Sequence, residues 1–366
     1  MSAAAGSAEA TGNRTPVDWG IAVSTAQLLM KPGPPVPREE AERVVEQLRE
    51  VTSPAEAHVR ELTGLGAGLP LPPGDVVDRR GWVSAAADGL SVLTEGAIPI
   101  GPSRSMSGAM APILAGSAGL QAGMVLAYLG GRVLGQYDPF GGDDDRGRLL
   151  LVAPNIIAAQ RALDVPADDF RMWVCLHECT HRLQFTAVPW LREYFAGEVR
   201  RFLSGLDETA TTAFARLPEM IKTARRRADD DTAGTGPIGL MEMLQSPQQR
   251  EVFDRLIALS TLLEGHADHV MDAVGPTVVP SVATIRARFT ARRRGGGILD
   301  RILRTVLGVD AKVKQYAVGA AFTRHVVDAV GMDGFNAVWT SPETLPLRAE
   351  MSDPAAWVRR IHGRDG

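Results

Sequence analysis

The strongest constraint on this chain is a five-residue stretch, His177-Glu178-Cys179-Thr180-His181, which has the HExxH pattern typical of zinc sites. It stands in a run from Asp168 to Phe185 that predicts one continuous helix. Side chains at positions i and i+4 lie on the same face of a helix, so both imidazoles can reach one tetrahedral ion. The pattern therefore predicts a helix that presents two histidine ligands to a metal.

Glu178 follows the first motif histidine directly and is the candidate catalytic residue. Its carboxylate would lie beside the metal, where it can take a proton from a water molecule that the ion activates. The alternative is a purely structural helix, in which His177 and His181 are buried and bond to neighbouring carbonyl groups. A second group of ligand-type residues further along the chain favours the metal site.

That second group lies in residues 262–272, and it contains Glu264 as the candidate third ligand. A hydrolytic zinc site needs three protein ligands and one open position, and the third ligand usually comes from a different helix. Asp268 lies one helical turn after Glu264, where it can accept a hydrogen bond from the free ring N–H of a ligating histidine. His266, Asp268 and His269 remain alternatives to Glu264 as the third ligand.

A related class of zinc peptidases places a glycine and a third histidine three and six residues after the second motif histidine. In this chain those two positions hold Gln184 and Ala187. The alternative with a glycine and a third histidine in the same segment therefore does not hold.

These motifs, with several shorter stretches, give the chain a resemblance to the zincin-like metallopeptidase family. More narrowly, the chain resembles an actinobacterial branch of uncharacterised hydrolases associated with biosynthesis of the deazaflavin cofactor. The matching stretches are Val17–Gly20, Leu134–Asp138, Val152–Ile156, Trp173–Phe185, Glu264–Ala267 and Lys314–Tyr316. The resemblance covers most of the chain and implies a zincin fold with Zn²⁺ held by His177, His181 and Glu264. It leaves the substrate open.

The predicted fold is mainly α with a small β-sheet, an α+β arrangement of zincin-like architecture. Residues 124–128 and 132–137 flank Gly130-Gly131, a pattern that predicts two strands joined by a hairpin turn. Leu149–Ala153 is predicted to be a third strand. By the resemblance, Leu149–Ala153 is the candidate edge strand that pairs with an extended substrate, and an ordinary core strand is the alternative.

Residues 1–15 are predicted to be a disordered tail, and residues 16–366 one zincin-like domain. That domain has a helical N-terminal part (16–118), a small β-sheet (119–153) and a helical part that carries the metal site (154–366). Helices are predicted over 19–29, 38–62, 79–95, parts of 106–123, 168–185, 189–202, 206–227 and 247–272. The long interval between the motif and Glu264 provides helices that wall or cap the cleft.

Composition and cysteine content indicate which partners and which cellular location to expect. Apolar residues make up 45% of the chain and charged residues 22%, as in globular domains, and the net charge of −4 gives no sign of nucleic acid or an anionic membrane as partner. The N-terminus has no signal-peptide pattern, and Gly108 to Tyr128 is too rich in small residues to predict a membrane helix. Cys175 and Cys179 are predicted to be reduced, buried thiols that face away from the metal, which indicates a cytoplasmic location.

Tyr316 and His325 are candidates for a donor that stabilises negative charge on the substrate oxygen in the transition state. A structural role is the alternative for each, because a tyrosine at helical spacing is usually a core residue and a lone histidine is usually structural.

Taken together, the sequence predicts a cytoplasmic zinc-dependent hydrolase that acts on a peptide or related amide. Glu178 would serve as general base and then as proton donor to the leaving nitrogen. The alternatives are a catalytically silent scaffold or binding protein linked to cofactor biosynthesis and, more distantly, an amidohydrolase that does not cleave peptides. The sequence gives no prediction of oligomeric state.

Overall fold

The computed structural model describes residues 17–95, 111–142, 146–205, 247–294 and 309–363, and it describes no side chains for 111–115, 292–294 and 309–316. The first elements are α1 (Trp19–Leu29), α2 (Arg38–Thr63), β1 (Asp75–Val77), α3 (Arg79–Thr94), α4 (Ala111–Gly130), β2 (Gly135–Asp138) and β3 (Arg148–Val152). They are followed by α5 (Ala153–Leu163), α6 (Ala167–Ala187), α7 (residues 191–205), α8 (Pro247–Val278), α9 (Val282–Arg294), α10 (Val309–Phe335) and α11 (Pro354–His362). Two short 3₁₀ helices, Asn336–Trp339 and Pro342–Thr344, lie between α10 and α11. The predicted tail 1–15 and the predicted helix 206–227 lie outside the described residues.

The predicted fold class is confirmed, since the described chain is mostly helical with one small three-stranded sheet. The strand order is β1-β3-β2. Strand β1 pairs with β3 in parallel, and β2 pairs with β3 antiparallel, with Gly135 opposite Leu151. The sheet therefore places β3 in the centre and leaves β1 and β2 on its two sides.

Helix α6 carries the HExxH motif, and its ends follow from the local sequence. It begins after Pro166, and Asp168 and Asp169 in its first turn interact favourably with the helix dipole. It ends where Val188 becomes extended, one residue before Pro189, whose ring disfavours helix in the residue that precedes it. Because α6 packs against α2 on one side and α8 on another, most of its residues are buried.

Helix α8 delivers Glu264, and its position is set by a close crossing with α10. A Cβ atom built on Gly265 would lie 2.1 Å from the carbonyl carbon of Gly319 in α10. Two glycines at this point allow the two backbones to approach to a distance that no larger residue permits. The crossing therefore holds the residue next to Glu264 firmly in place.

The sheet separates two apolar clusters. Leu149 and Leu151 of β3 face the main core, which is built largely from α2, α5, α6, α8, α10 and α11. Leu150 and Val152 face a smaller cluster under α1, α3 and α4. Alternate side chains of a strand point to opposite faces, so β3 is apolar throughout because both of its faces are buried.

The prediction that Leu149–Ala153 is an edge strand is therefore wrong, and the alternative of an ordinary core strand is right. Strand β3 has a hydrogen-bonded partner on each side. The sheet also extends outside the predicted range 119–153, because β1 comes from Asp75–Val77. That three-residue strand follows a loop rich in glycine and proline and carries too little pattern of its own to be recognised.

The predicted strand over 124–128 is also wrong, because those residues belong to helix α4. These residues are helical because glycines in α4 allow it to pack closely against α1. Built Cβ atoms on Gly119 and Gly123 would lie 2.6 Å from the backbone oxygens of Asp18 and Ala22, so α4 packs backbone to backbone against α1. The helix ends at Gly130, so Gly130-Gly131 does not form a hairpin turn. None of the described helices, α4 included, combines the length and the apolar character needed to cross a membrane.

Candidate metal centre

Three ligand-type side chains converge between helices α6 and α8. His177 and His181 of α6 bring their Nε2 atoms to 3.2 Å from each other, and Glu264 Oε2 of α8 lies 3.6 Å and 3.8 Å from them. Donor atoms at about 2.0–2.2 Å from a tetrahedral zinc ion are separated by roughly 3.4 Å. The spacing and chemistry of this nitrogen, nitrogen and oxygen set therefore fit zinc.

Within the described ranges, no other group of three His, Cys, Asp or Glu residues has donor atoms this close together. The side chains of His177, His181 and Glu264 keep exposed fractions of 24%, 16% and 18%. The three ligand candidates are thus sheltered by the fold, and each keeps part of its side-chain surface exposed.

Glu178 lies under strand β2, next to the ligand cluster. Gly135 has no side chain at this contact, and a Cβ atom there would lie 2.6 Å from Glu178 Cγ. The pKa of Glu178 is raised to about 8, mainly by burial and also by the negative charge of Glu264, while a hydrogen bond from the backbone N–H of Tyr137 acts in the opposite direction. A cation held by the three ligand candidates would also lower this pKa.

His181 has a buried polar partner on its other ring nitrogen. Its Nδ1 lies 2.9 Å from Gln184 Oε1, and Gln184 Nε2 lies 3.0 Å from the backbone oxygen of Leu263 and 3.0 Å from His266 Nδ1. Gln184 is fully buried. A polar chain thus runs from the motif helix to the segment of α8 that carries Glu264.

His177 has a softer partner, a thioether, on helix α8. Its Nδ1 lies 3.3 Å from the thioether sulfur of Met271, seven residues after Glu264 in α8. A thioether is a weak hydrogen-bond acceptor. One helix therefore contacts the outer ring nitrogen of one histidine directly and that of the other through Gln184.

The comparisons with known proteins identify the family. A model of the zincin-like metallopeptidase family matches residues 17–358. The chain belongs to this family. It is also similar to a crystal structure of a presumed hydrolase with a novel fold from Chloroflexus aurantiacus, with 32% identity and a TM-score of 0.63 over 96% of this chain and 100% of that one. No match was found among curated proteins.

The alternatives for the third ligand lie elsewhere in this zincin-like metallopeptidase. His266 is fully buried between the rings of Phe335 and Trp339, and burial lowers its pKa to about 3. His269 is partly buried, and burial is the main cause of its lowered pKa. Neither histidine belongs to the converging donor group of the described chain, in which Glu264 is the α8 member.

Asp268 lies at the α8–α9 contact. Its carboxylate Oδ1 is 3.6 Å from Arg286 Nη2, and Arg286 also donates to its backbone oxygen at 2.9 Å. The polar partner of His181 Nδ1 is Gln184 Oε1, at 2.9 Å, and not Asp268. The role of Asp268 as an orienter of a ligand stays a prediction.

The two candidate transition-state donors both belong to α10. The side chain of Tyr316 lies outside the described residues, so its role stays a prediction. His325 is exposed on the same helix. The thiol of Cys179, by contrast, is placed as predicted: it is buried and lies 3.7 Å from the backbone oxygen of Thr52 in α2, and Cys175 is buried as well.

Sequence reasoning missed Gln184, Met271 and Gly135 as members of the site. Gln184 follows His181 by three residues and Met271 follows Glu264 by seven, so helical periodicity places each on the same face as its neighbour and could have indicated both. Gly135 gives no local signal, because its role depends on how β2 packs on α6.

Proposed function

We propose that this chain is a zinc-dependent hydrolase that cleaves peptide or related amide bonds. The observation that carries the proposal is the convergence of His177, His181 and Glu264 beside the buried carboxylate of Glu178. Membership of the zincin-like metallopeptidase family supports a hydrolase, and the relative from Chloroflexus aurantiacus is described as a presumed hydrolase.

His177, His181 and Glu264 would hold the zinc ion, and these three ligands leave one tetrahedral position open. The ion supplies Lewis acidity, which polarises a carbonyl group and lowers the pKa of water at the open position. Two neutral imidazoles and one carboxylate give the ligand set a single negative charge, so the loaded site keeps a net positive charge that favours a polarised substrate oxygen.

Glu178 would move the proton in this reaction. Its carboxylate takes a proton from the attacking water as the water oxygen forms a bond to the carbonyl carbon. It then gives that proton to the leaving nitrogen as the carbon–nitrogen bond breaks. The Tyr137 N–H and the close contact with Gly135 hold the carboxylate in one orientation for both transfers.

Strand β2 is the better candidate for binding an extended substrate. It lies at a side of the described sheet, and its residues contact Glu178. The N–H of Val152 donates to the backbone oxygen of Leu134, and backbone groups alternate in direction along an antiparallel strand, so those of Gly135 and Tyr137 point away from β3. One of them, the Tyr137 N–H, bonds to Glu178, so the outward backbone groups lie beside the proposed general base.

The test is the Glu178→Gln variant with metal quantitation and a peptide-library digest. We expect bound zinc equal to that of the parent and turnover about 10²–10⁴-fold lower, because glutamine keeps the size of the side chain but cannot accept the proton. Glu251→Gln, an exposed position of α8, is the matched control and should leave both unchanged. Turnover of Glu178→Gln equal to the parent would show that the mechanism is wrong.

The same digest distinguishes an active hydrolase from a catalytically silent zinc-binding scaffold. Zinc bound in a ratio of one per chain with no cleavage anywhere in the library would favour a catalytically silent zinc-binding scaffold. The relationship to the branch associated with deazaflavin-cofactor biosynthesis and the cytoplasmic location stay predictions. The cytoplasmic location is supported by two buried cysteines that form no disulfide.

A further inference from the structure

We propose that Gln184 is a positioning residue that fixes His181 in the tautomer with its proton on Nδ1, so that the lone pair of Nε2 points at the ligand cluster. The inference rests on the proposed zinc site for its consequence, which is metal affinity. The tautomer itself is a property of the metal-free chain and can be measured separately.

The orientation of the Gln184 amide follows from a backbone group. Its Nε2 lies 3.0 Å from the carbonyl oxygen of Leu263, which can only accept a hydrogen bond. The NH₂ group must therefore stand on that side. A flipped amide would set two acceptor oxygens against each other in a fully buried place, where an unpaired polar group is costly.

This orientation determines the proton position on His181. With the NH₂ group on the Leu263 side, Gln184 Oε1 lies on the His181 side, 2.9 Å from His181 Nδ1. An amide oxygen can only accept a hydrogen bond, so Nδ1 must donate. A neutral imidazole carries one N–H, and therefore the other nitrogen has a free lone pair. That nitrogen is Nε2, which lies 3.2 Å from His177 Nε2 and 3.8 Å from Glu264 Oε2.

The second amide hydrogen of Gln184 prevents the amide from rotating. Gln184 Nε2 is also 3.0 Å from His266 Nδ1, so this ring nitrogen accepts. The His266 ring is itself held by Phe335 and Trp339, at centroid distances of 5.1 Å and 5.6 Å. Both amide hydrogens and the amide oxygen thus have partners, and two of the three partners belong to the α8 segment around Glu264.

The first experiment measures the tautomer in the metal-free, full-length chain. Long-range ¹H–¹⁵N NMR of protein labelled at its seven histidines distinguishes a protonated Nδ1 from a protonated Nε2, and loss of a signal in His181→Gln identifies His181. We expect His181 to carry its proton on Nδ1. A neutral ring with its only proton on Nε2 would overturn the proposal, and this measurement needs no variant of Gln184 to fold.

The second experiment measures zinc affinity by competition with a chromophoric chelator. We expect Gln184→Met, which keeps the length of the side chain but removes its polar groups, to bind zinc about 10–100-fold more weakly than the parent. Gln249→Met, at another buried glutamine in the first turn of α8, is the matched control and should bind zinc as the parent does. Equal zinc affinity of the parent and Gln184→Met would overturn the proposal.

The two measurements also separate this inference from the proposed function. A parent chain that binds no zinc would refute the zinc hydrolase, while the tautomer of His181 would still decide the role of Gln184. A parent that binds zinc with His181 protonated on Nδ1, together with weaker zinc binding by Gln184→Met, supports the zinc site and the positioning role of Gln184, and the peptide-library digest then tests the hydrolase.

Discussion

Replacing Gly135 with alanine adds one methyl group against the proposed general base. The new Cβ would lie 2.6 Å from Cγ, 2.9 Å from Cδ and 3.0 Å from Oε1 of Glu178. Unbonded carbon atoms prefer about 3.5–4.0 Å, so the closest contact is about 1 Å too short. Because Cγ lies in the middle of a buried side chain, Glu178 must move. We expect a loss of about 1–3 kcal/mol in the free energy of unfolding.

A double-mutant cycle isolates this contact. In the Glu178→Ala background the atoms nearest to the new methyl group are gone, and Gly135→Ala should then stabilise the chain by about 0.4–1 kcal/mol, because alanine restricts the unfolded chain. The sign of the substitution therefore reverses between the two backgrounds. The assay is urea unfolding of the metal-free proteins, which removes the contribution of zinc binding to stability.

Activity provides the second measurement for the same variant. A displacement of about 1 Å at a reacting group can reduce turnover by about 10²-fold, and zinc affinity should remain that of the parent because the three ligand candidates are unchanged. Gly131→Ala is the matched control, since a Cβ there meets only one backbone oxygen, at 4.0 Å. If Gly135→Ala changed the free energy of unfolding by the same amount in the parent and in Glu178→Ala, the contact with Glu178 would not be the reason for a glycine in β2.

Two further predictions concern the surroundings of the site. Gly265→Ala should weaken zinc binding and lower the free energy of unfolding by roughly 3 kcal/mol or more, because its Cβ would meet the backbone of Gly319. Gly197→Ala, with open space around it, should leave zinc binding unchanged and leave stability unchanged or raised. Chelator competition measures the zinc affinity, and urea unfolding measures the stability. Burial raises the pKa of the Cys179 thiol to about 12, so the stability that this thiol contributes is complete below its ordinary pKa of about 8.5 and falls by up to about 1.4 kcal/mol per pH unit above it. Unfolding curves from pH 8 to 10 check this, and Cys179→Ala should have a smaller slope; an unchanged slope would contradict it.

The part of the site that could be predicted from sequence is the part that helical periodicity controls. His177 and His181 lie one turn apart on a helix with clear ends, and the helix around Glu264 has an apolar pattern long enough to be recognised. Glu264 also carries the charge and spacing expected of a third ligand. The identity of the candidate ligands therefore depends on local sequence, and only their convergence depends on the fold.

The parts that sequence could not give depend on contacts between distant segments. Residues 124–128 have the composition of a strand, but packing of small residues against α1 makes them helical. The identity of the edge strand depends on β1, a three-residue strand about 70 residues before its partner β3. Gly135 has no local reason to be glycine, because its neighbour Glu178 comes from another element.

Metal affinity should depend strongly on the position of helix α8 relative to the motif helix α6. It supplies the candidate ligand Glu264, the Leu263 carbonyl that orients Gln184, and the Met271 thioether beside His177. A sliding or rotation of α8 by part of a turn would disturb all three contacts together, whereas a change at one of them leaves two in place. The crossing of Gly265 with Gly319 opposes such a movement, because both backbones are already in contact there. Loss of zinc affinity in Gly265→Ala should therefore exceed the loss in Gln184→Met, even though Gly265 carries no side chain toward the metal; the reverse order would show that α8 is positioned by other contacts.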